Sequence, residues 1–267
     1  MTTTQKKRVL ITKPYEKGQI IDKNTVKRAL AFLGILLVFT FISVIACSMF
    51  LFDNHILRIA MNSFVEILIL TICFTNGSSR GTEDVAKGEV VFQHKENGKN
   101  DDPADAATAY HPVKGLITAV IGSTIVFVFA VLLAFMAEKT VTGIGALPSW
   151  IENYQRRPEI GNALAAYNAP VSITFVSALR TVVRLFLMPL VSIIGADNKD
   201  LMLMLERFSP LLVLLPAIAF GIGYMQGPSV RSKVHTEISE NIRKRKKKER
   251  KERKKRAAAF REPEQLN

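Results

Sequence analysis

The sequence predicts an all-α, multi-pass helical integral membrane protein with four full spans, one amphipathic or re-entrant segment and a basic C-terminal helical tail. Three observations carry that expectation. Of 267 residues, 48% are hydrophobic, and they are bunched into runs of membrane-crossing length separated by very polar stretches. Residues 231–256 hold fourteen Lys or Arg against Glu237, Glu240, Glu249 and Glu252, so most of the formal net charge of +13 lies directly after the last apolar run. Lys and Arg collect on the cytoplasmic side of a membrane, which requires the upstream chain to be threaded so that Arg231 emerges inside.

Residues 1–28 form a basic segment in which Lys6, Lys7, Arg8, Lys13, Lys17, Lys23, Lys27 and Arg28 outnumber Glu16 and Asp22, placing this end inside as well. The apolar run 29–52 is longer than a signal-peptide core and reads as a signal-anchor helix, about 36 Å long at 1.5 Å per residue. After the polar break Asp53, Asn54 and His55 the chain is apolar again to Phe74, which makes 29–74 a transmembrane hairpin. Arg58, Asn62 and Glu66 recur every fourth residue in its second limb and share one helix face.

From Thr75 to Pro112 the chain is rich in Gly, Asn and Asp, and the stretches TNGSSRG and KENGKNDDPAD have the chemistry of a polar cytoplasmic loop. Residues 89–93 alternate as a strand would, but a lone strand has no sheet to join. The run 113–137 is the cleanest span. Its Gly115, Ala119 and Ser123 repeat every fourth residue, a stripe of small side chains that lets another helix approach closely.

Residues 138–207 read as an outer-face segment. Trp150, Tyr154, Arg156, Arg157, Tyr167 and Asn168, beside Pro148 and Pro158, have the composition of chain lying at headgroup level. Within it, 170–194 is long enough to span but carries Arg180 and Arg184 near its middle, each costing about 2.5–3.5 kcal/mol at a bilayer centre. Residues 195–207 form a polar link. The last span, 208–225, presents Ala219 and Gly223, with Gly227 just beyond, as a second small-residue stripe.

Parity fixes the number of crossings. Five spans from an inside start would place the basic tail outside, so one run stays on one side, and the run bearing two arginines and Pro189 is the one to demote. The alternative demotes 56–74 instead.

The sequence has no phosphate-binding GxxxxGK[ST], HExxH or GxGxxG pattern, and Gly77–Gly81 (GSSRG) matches GxSxG in spacing alone. His55, His94, His111 and His235 lack metal-ligand spacing, and Cys47 and Cys73 sit inside apolar runs as small hydrophobes. No enzyme, cofactor or metal site is expected. Glu66, Asn62, Arg180 and Arg184 make up a candidate intramembrane polar site, either paired structurally or, at Glu66, titrating in transport.

Arg243, Lys244, Arg245, Lys246, Lys247, Lys248, Arg250, Lys251, Arg253, Lys254, Lys255 and Arg256 are the candidate anionic-surface contacts, worth about 1 kcal/mol per basic residue close to a charged leaflet. Val234, Ile238 and Ile242 give the first part of the tail, 226–267, a weak apolar stripe. The expected function is a non-enzymatic plasma-membrane component with both termini cytoplasmic: a scaffold, or the membrane subunit of a larger transport or export system. Its partners are the lipid bilayer, anionic lipids and a second copy or another membrane protein. The alternatives are a small secondary transporter using Glu66, and a ribosome-tethered, insertase-like protein whose tail binds nucleic acid.

Overall fold

A computed structural model describes residues 10–49, 54–99, 103–138, 174–195 and 198–259. They form helices and no strand. In chain order these are α1 Thr25–Met49, α2 His55–Glu96, α3 Pro103–Ala107, α4 Lys114–Met136, α5 Phe175–Phe186, α6 Met188–Ile194, α7 Lys199–Val213, α8 Leu215–Met225 and α9 Gly227–Ala259. Four stretches are long and apolar enough to cross a membrane: Thr25–Ser48, α2, α4, and Asp200–Met225, which joins α7 to α8. The aromatic-rich residues Trp150, Tyr154, Arg156, Arg157, Tyr167 and Asn168 lie outside the described residues.

The chain divides into two compact units whose boundaries fall at the first residue of α1 and inside α2, α4 and α8. The first comprises Met1–Thr25, Cys73–Ile117 and Ala219–Asn267. It gathers the N-terminal stretch, the polar segment after the hairpin and the basic tail into one packed body. The second comprises Val26–Ile72 and Thr118–Ile218.

The second unit is apolar on its outside. Phe41, Ile45, Phe64 and Phe135 are 60% exposed or more, whereas Ser43, Asn62, Ser123, Glu206 and Ser209 are buried. This distribution inverts that of a water-soluble domain and suits a hydrocarbon surround. Its core packs Val126, Ala130 and Leu133 of α4 against Leu179, Val183 and Leu187 of the α5 segment and Met202, Leu205 and Val213 of α7.

The demoted run begins at Phe175, where the Thr174 side chain accepts the Ser177 N–H as a cap, and breaks at Leu187. Pro189, in the first turn of α6, suits a helix start. The limbs meet at 97°, and at 12 and 7 residues each is too short to cross a layer about 30 Å thick.

Two sequence expectations need correction. The first Gly-rich stretch is helix: α2 runs 42 residues, about 63 Å, through TNGSSRG and through 89–93, where a strand was considered. Gly77 and Gly81 serve here as contact points between helices. A Cβ on Gly77 would lie 2.1 Å from the Phe220 carbonyl oxygen and one on Gly81 2.3 Å from that of Tyr224. The second stretch does end the helix. Gly98 adopts φ 67°, which glycine tolerates, while Lys99 donates to the His94 carbonyl and Gly98 to that of Lys95, a glycine-terminated cap.

The second correction concerns 195–207, read as a polar link. Asn198 caps α7 by accepting the Leu201 N–H, and the helix carries Glu206 into the last span. The tail's weak apolar stripe is not the face that α9 buries. Ile238 and Ile242 are about half exposed, and α9 instead buries Ser232, His235 and Thr236.

Candidate functional site

In the second unit the charged centre is built by α5 and α7. Arg180 and Arg184 are one turn apart on α5 and converge on Glu206, whose side chain is only 2% exposed. Arg180 Nε lies 2.7 Å from Glu206 Oε1, and Arg184 donates to the same oxygen from Nε at 2.9 Å and from Nη2 at 2.5 Å. Arg180 Nη2 also donates to the Glu138 carbonyl. Pro210 cannot supply the N–H that the Glu206 carbonyl would otherwise accept, and the Ser209 hydroxyl donates there at 2.7 Å. The two arginines are thus tied to a carboxylate, which offsets much of their cost in an apolar surround.

The structure therefore splits the expected polar group. Asn62 is fully buried and donates to the Arg58 carbonyl in its own helix. Glu66 is half-buried and makes no hydrogen bond or ion pair with any described residue; it lines a small cavity with Thr40 and Ser43. Glu206 is the residue that sequence reasoning missed, because it was assigned to a polar link. Its signal was available: Met202, Leu205, Val213 and Ala217 mark a buried face that runs straight through the link.

The first unit has a polar interior organised around Tyr224. Its ring lies against Gly115, where a Cβ would come within 2.2 Å of Tyr224 Cγ. Its hydroxyl donates to buried Asp84 at 2.7 Å. Tyr110 stacks on it at 5.3 Å between ring centroids, and Tyr15 meets Tyr110 edge-on at 5.9 Å. The other members of the two stripes also pack closely. Ala119 and Ser123, in the second unit, are fully buried, and in the first unit a Cβ on Gly223 would lie 2.0 Å from the Phe74 oxygen, with one on Gly227 2.5 Å from the Gly81 carbonyl carbon. Gly81 and Gly227 thus face each other, while Gly77 packs on the Phe220 backbone and Gly223 on that of Phe74, with Ala219 half-buried one turn before Gly223.

Two buried ion networks tie the segments of this unit together. Asp22 and Thr25 cap α1 reciprocally, with Asp22 donating its N–H to the Thr25 hydroxyl and that hydroxyl donating back to Oδ1. The free oxygen of Asp22 lies 2.7 Å from the Lys114 ammonium, and both side chains are buried. Lys114 also donates to the carbonyls of Ala107, Thr108 and Ala109. Burial alone would raise the Asp22 carboxyl, but Lys114, the Thr25 hydroxyl and the Asn24 N–H hold it below its ordinary value. The Tyr110 phenol, by contrast, is pushed up to about 12 by burial and by its neighbour Tyr15.

The second network roots the tail. Glu89 of α2 accepts from Arg231 at Nε and Nη2, 3.1 and 2.9 Å, and pairs with His235 Nε2 at 2.7 Å. The Thr236 hydroxyl oxygen accepts the Ile11 N–H. Beyond Glu240 these ties stop. Every residue from Asn241 to Arg256 is exposed, so the twelve basic side chains listed above project all round a continuous helix. Among the described residues no group of three or more His, Cys, Asp or Glu is placed to hold a metal ion. Comparison with known family models, curated proteins and solved structures finds no match.

Proposed function

We propose that this chain is a non-enzymatic membrane component, a scaffold or the membrane subunit of a larger transport or export assembly, that holds a polybasic helix against an anionic membrane surface. The observation that carries the reading is the construction of α9. Its first turns are pinned by Glu89, Arg231, His235 and Thr236, while Asn241–Arg256, about 24 Å of helix, stays uncovered and charged on every side. A helix rooted in this way offers its charges already ordered, with little conformational entropy left to lose on contact.

The acids support a structural role. Asp22, Asp84, Glu89 and Glu206 are each committed to cations or hydroxyls that join separate segments of the chain. The topology we propose has four spans, both termini and residues 75–112 cytoplasmic, and the bent α5–α6 segment re-entering from the outer face of the plasma membrane. It is supported by the gathering of both terminal stretches with 73–117 in one unit and by the 97° break at Leu187. A second copy or another membrane protein would complete the assembly.

Flotation tests the tail. The full chain in nanodiscs of neutral lipid is mixed with neutral or phosphatidylserine-containing vesicles at low and high salt. Binding to the anionic vesicles alone is expected, with release at about 1 M salt, where screening acts over about 3 Å, and loss on truncation after Glu240. Preference for ribosomes or RNA over excess anionic vesicles would replace this reading with the ribosome-tethered one.

A further inference from the structure

The buried acids Asp22, Asp84, Glu89 and Glu206 have partners, but half-buried Glu66 has none among the described residues, and its surroundings point to what would neutralise it. The cavity it lines measures about 40 Å³ and is bordered by Thr40 and Ser43 of α1 and by Leu187, Leu212, Val213 and Pro216. The Thr40 hydroxyl donates to the Leu36 carbonyl and the Ser43 hydroxyl to that of Thr40, both at 2.9 Å. Their hydrogens are therefore committed, and only oxygen lone pairs remain to face the cavity. The cavity lies beside two interruptions of helix, at Leu187 and at Leu214. Pro216 there has no N–H to give the Leu212 carbonyl four residues earlier, and the Leu214 N–H points to the Leu211 and Leu212 carbonyls instead.

Of the charged groups on the neighbouring elements, Arg180 and Arg184 of α5 are turned to Glu206 of α7, and α4 has no charged residue between Lys114 and Glu138.

We propose that Glu66, with the hydroxyl oxygens of Thr40 and Ser43, forms a binding site for a small monovalent metal cation of about sodium's size. An ionised carboxylate left alone in an apolar surround is costly, and acceptor-only oxygens cannot hydrogen-bond to it. One positive charge balances one carboxylate, whereas a divalent ion would leave a net charge inside the apolar unit. Oxygen donors without thiolate or imidazole suit a hard cation. At about 40 Å³ the cavity has room for a small ion with a water or two and is far below the roughly 300–1,000 Å³ of a pocket for an organic ligand.

The test is made on the full chain in nanodiscs at pH 8, with choline chloride replaced by sodium or potassium chloride at constant ionic strength. The expected result is a saturable rise in Tm with sodium, smaller with potassium, together with retention of radioactive sodium by the chain. Glu66→Gln should lose both effects and, having shed an uncompensated charge, should melt at or above the wild-type Tm in choline. That comparison separates loss of the site from misfolding. Ser43→Ala should move half-saturation to higher sodium. Equal wild-type stability in all three salts with no sodium retained, whether or not Tm varies with pH, would overturn the proposal.

Discussion

Replacing Glu206 by Gln tests the charged centre between α5 and α7 most severely. The substitution keeps the shape of the side chain but leaves two guanidinium groups without their shared counter-charge. Removing one partner of a buried ion pair costs about 3–5 kcal/mol, because the remaining charge stays desolvated. Here the two arginines differ. The Arg184 side chain is 32% exposed and can turn outward, whereas Arg180 is 15% exposed and held near the Glu138 carbonyl, so Arg180 supplies most of the penalty. A net loss of about 3 kcal/mol is expected. Cys47 and Cys73 are each 1% exposed, so a thiol-reactive dye reports the unfolding of both units as the temperature rises. Adding Arg180→Met and Arg184→Met to the Glu206→Gln chain should recover most of the lost stability, because no charge is then stranded. A Glu206→Gln chain within about 0.5 kcal/mol of wild type, the ordinary range for a harmless surface change, would refute the reasoning. So would a triple variant no more stable than the single one.

Gly223→Val should disrupt the first unit more than Ala219→Val does, by about 1–3 kcal/mol, since its new Cβ meets the Phe74 backbone and the neighbouring helix cannot yield as a side chain would; dye reactivity of Cys73 is the readout. Acid should weaken the same unit at the Asp22–Lys114 pair. The Asp22 carboxyl is held below its ordinary value in the folded chain, so its contribution is present above about pH 4 and disappears as pH falls through the folded-state value. Asp22→Asn should flatten that part of the Tm–pH curve. Tyr110 acts at the other end of the scale. Its raised value means that its contribution is intact below about pH 10 and is lost as pH rises toward about 12, a limb that Tyr110→Phe should remove.

What the sequence made legible follows from which physical signal each element carries. The runs beginning at Ala29, Ile56, Val113 and Phe208 are long and apolar, and each coincides over most of its length with a membrane-length helix. The spacing of Gly115, Ala119 and Ser123, and of Ala219, Gly223 and Gly227, marks close packing because four-residue repeats share a helix face whatever surrounds them. Gly77 and Gly81 have that same spacing but sit among Asn, Ser and Arg, and the composition of the stretch read as a turn. Only the facing Phe220 and Tyr224 backbone shows why glycine is needed there.

Charged residues were harder to place. Nothing local joins Arg180 and Arg184 to Glu206, or Glu89 to Arg231 and His235, which are 142 and 146 positions apart. The grouping of Glu66 with the arginines rested on a shared depth, and depth does not specify which helices are neighbours. In the tail, Ile238 and Ile242 belong to a weak apolar stripe, but the partner surface offers the Glu89 carboxylate, and α9 turns Arg231 and His235 to it.

Labelling of single cysteines from outside intact cells tests the four-span account most directly. On a background with Cys47 and Cys73 replaced, cysteines are placed at Asn97 beyond the end of α2, at Asn198 before α7 and at Lys251 in α9. The account predicts that a membrane-impermeant reagent labels Asn198→Cys, and that it reaches Asn97→Cys and Lys251→Cys only after the membrane is opened. Labelling of Asn97→Cys in intact cells with Asn198→Cys protected would contradict it, and would mean that α5 and α6 cross the membrane while the apolar half of α2 does not.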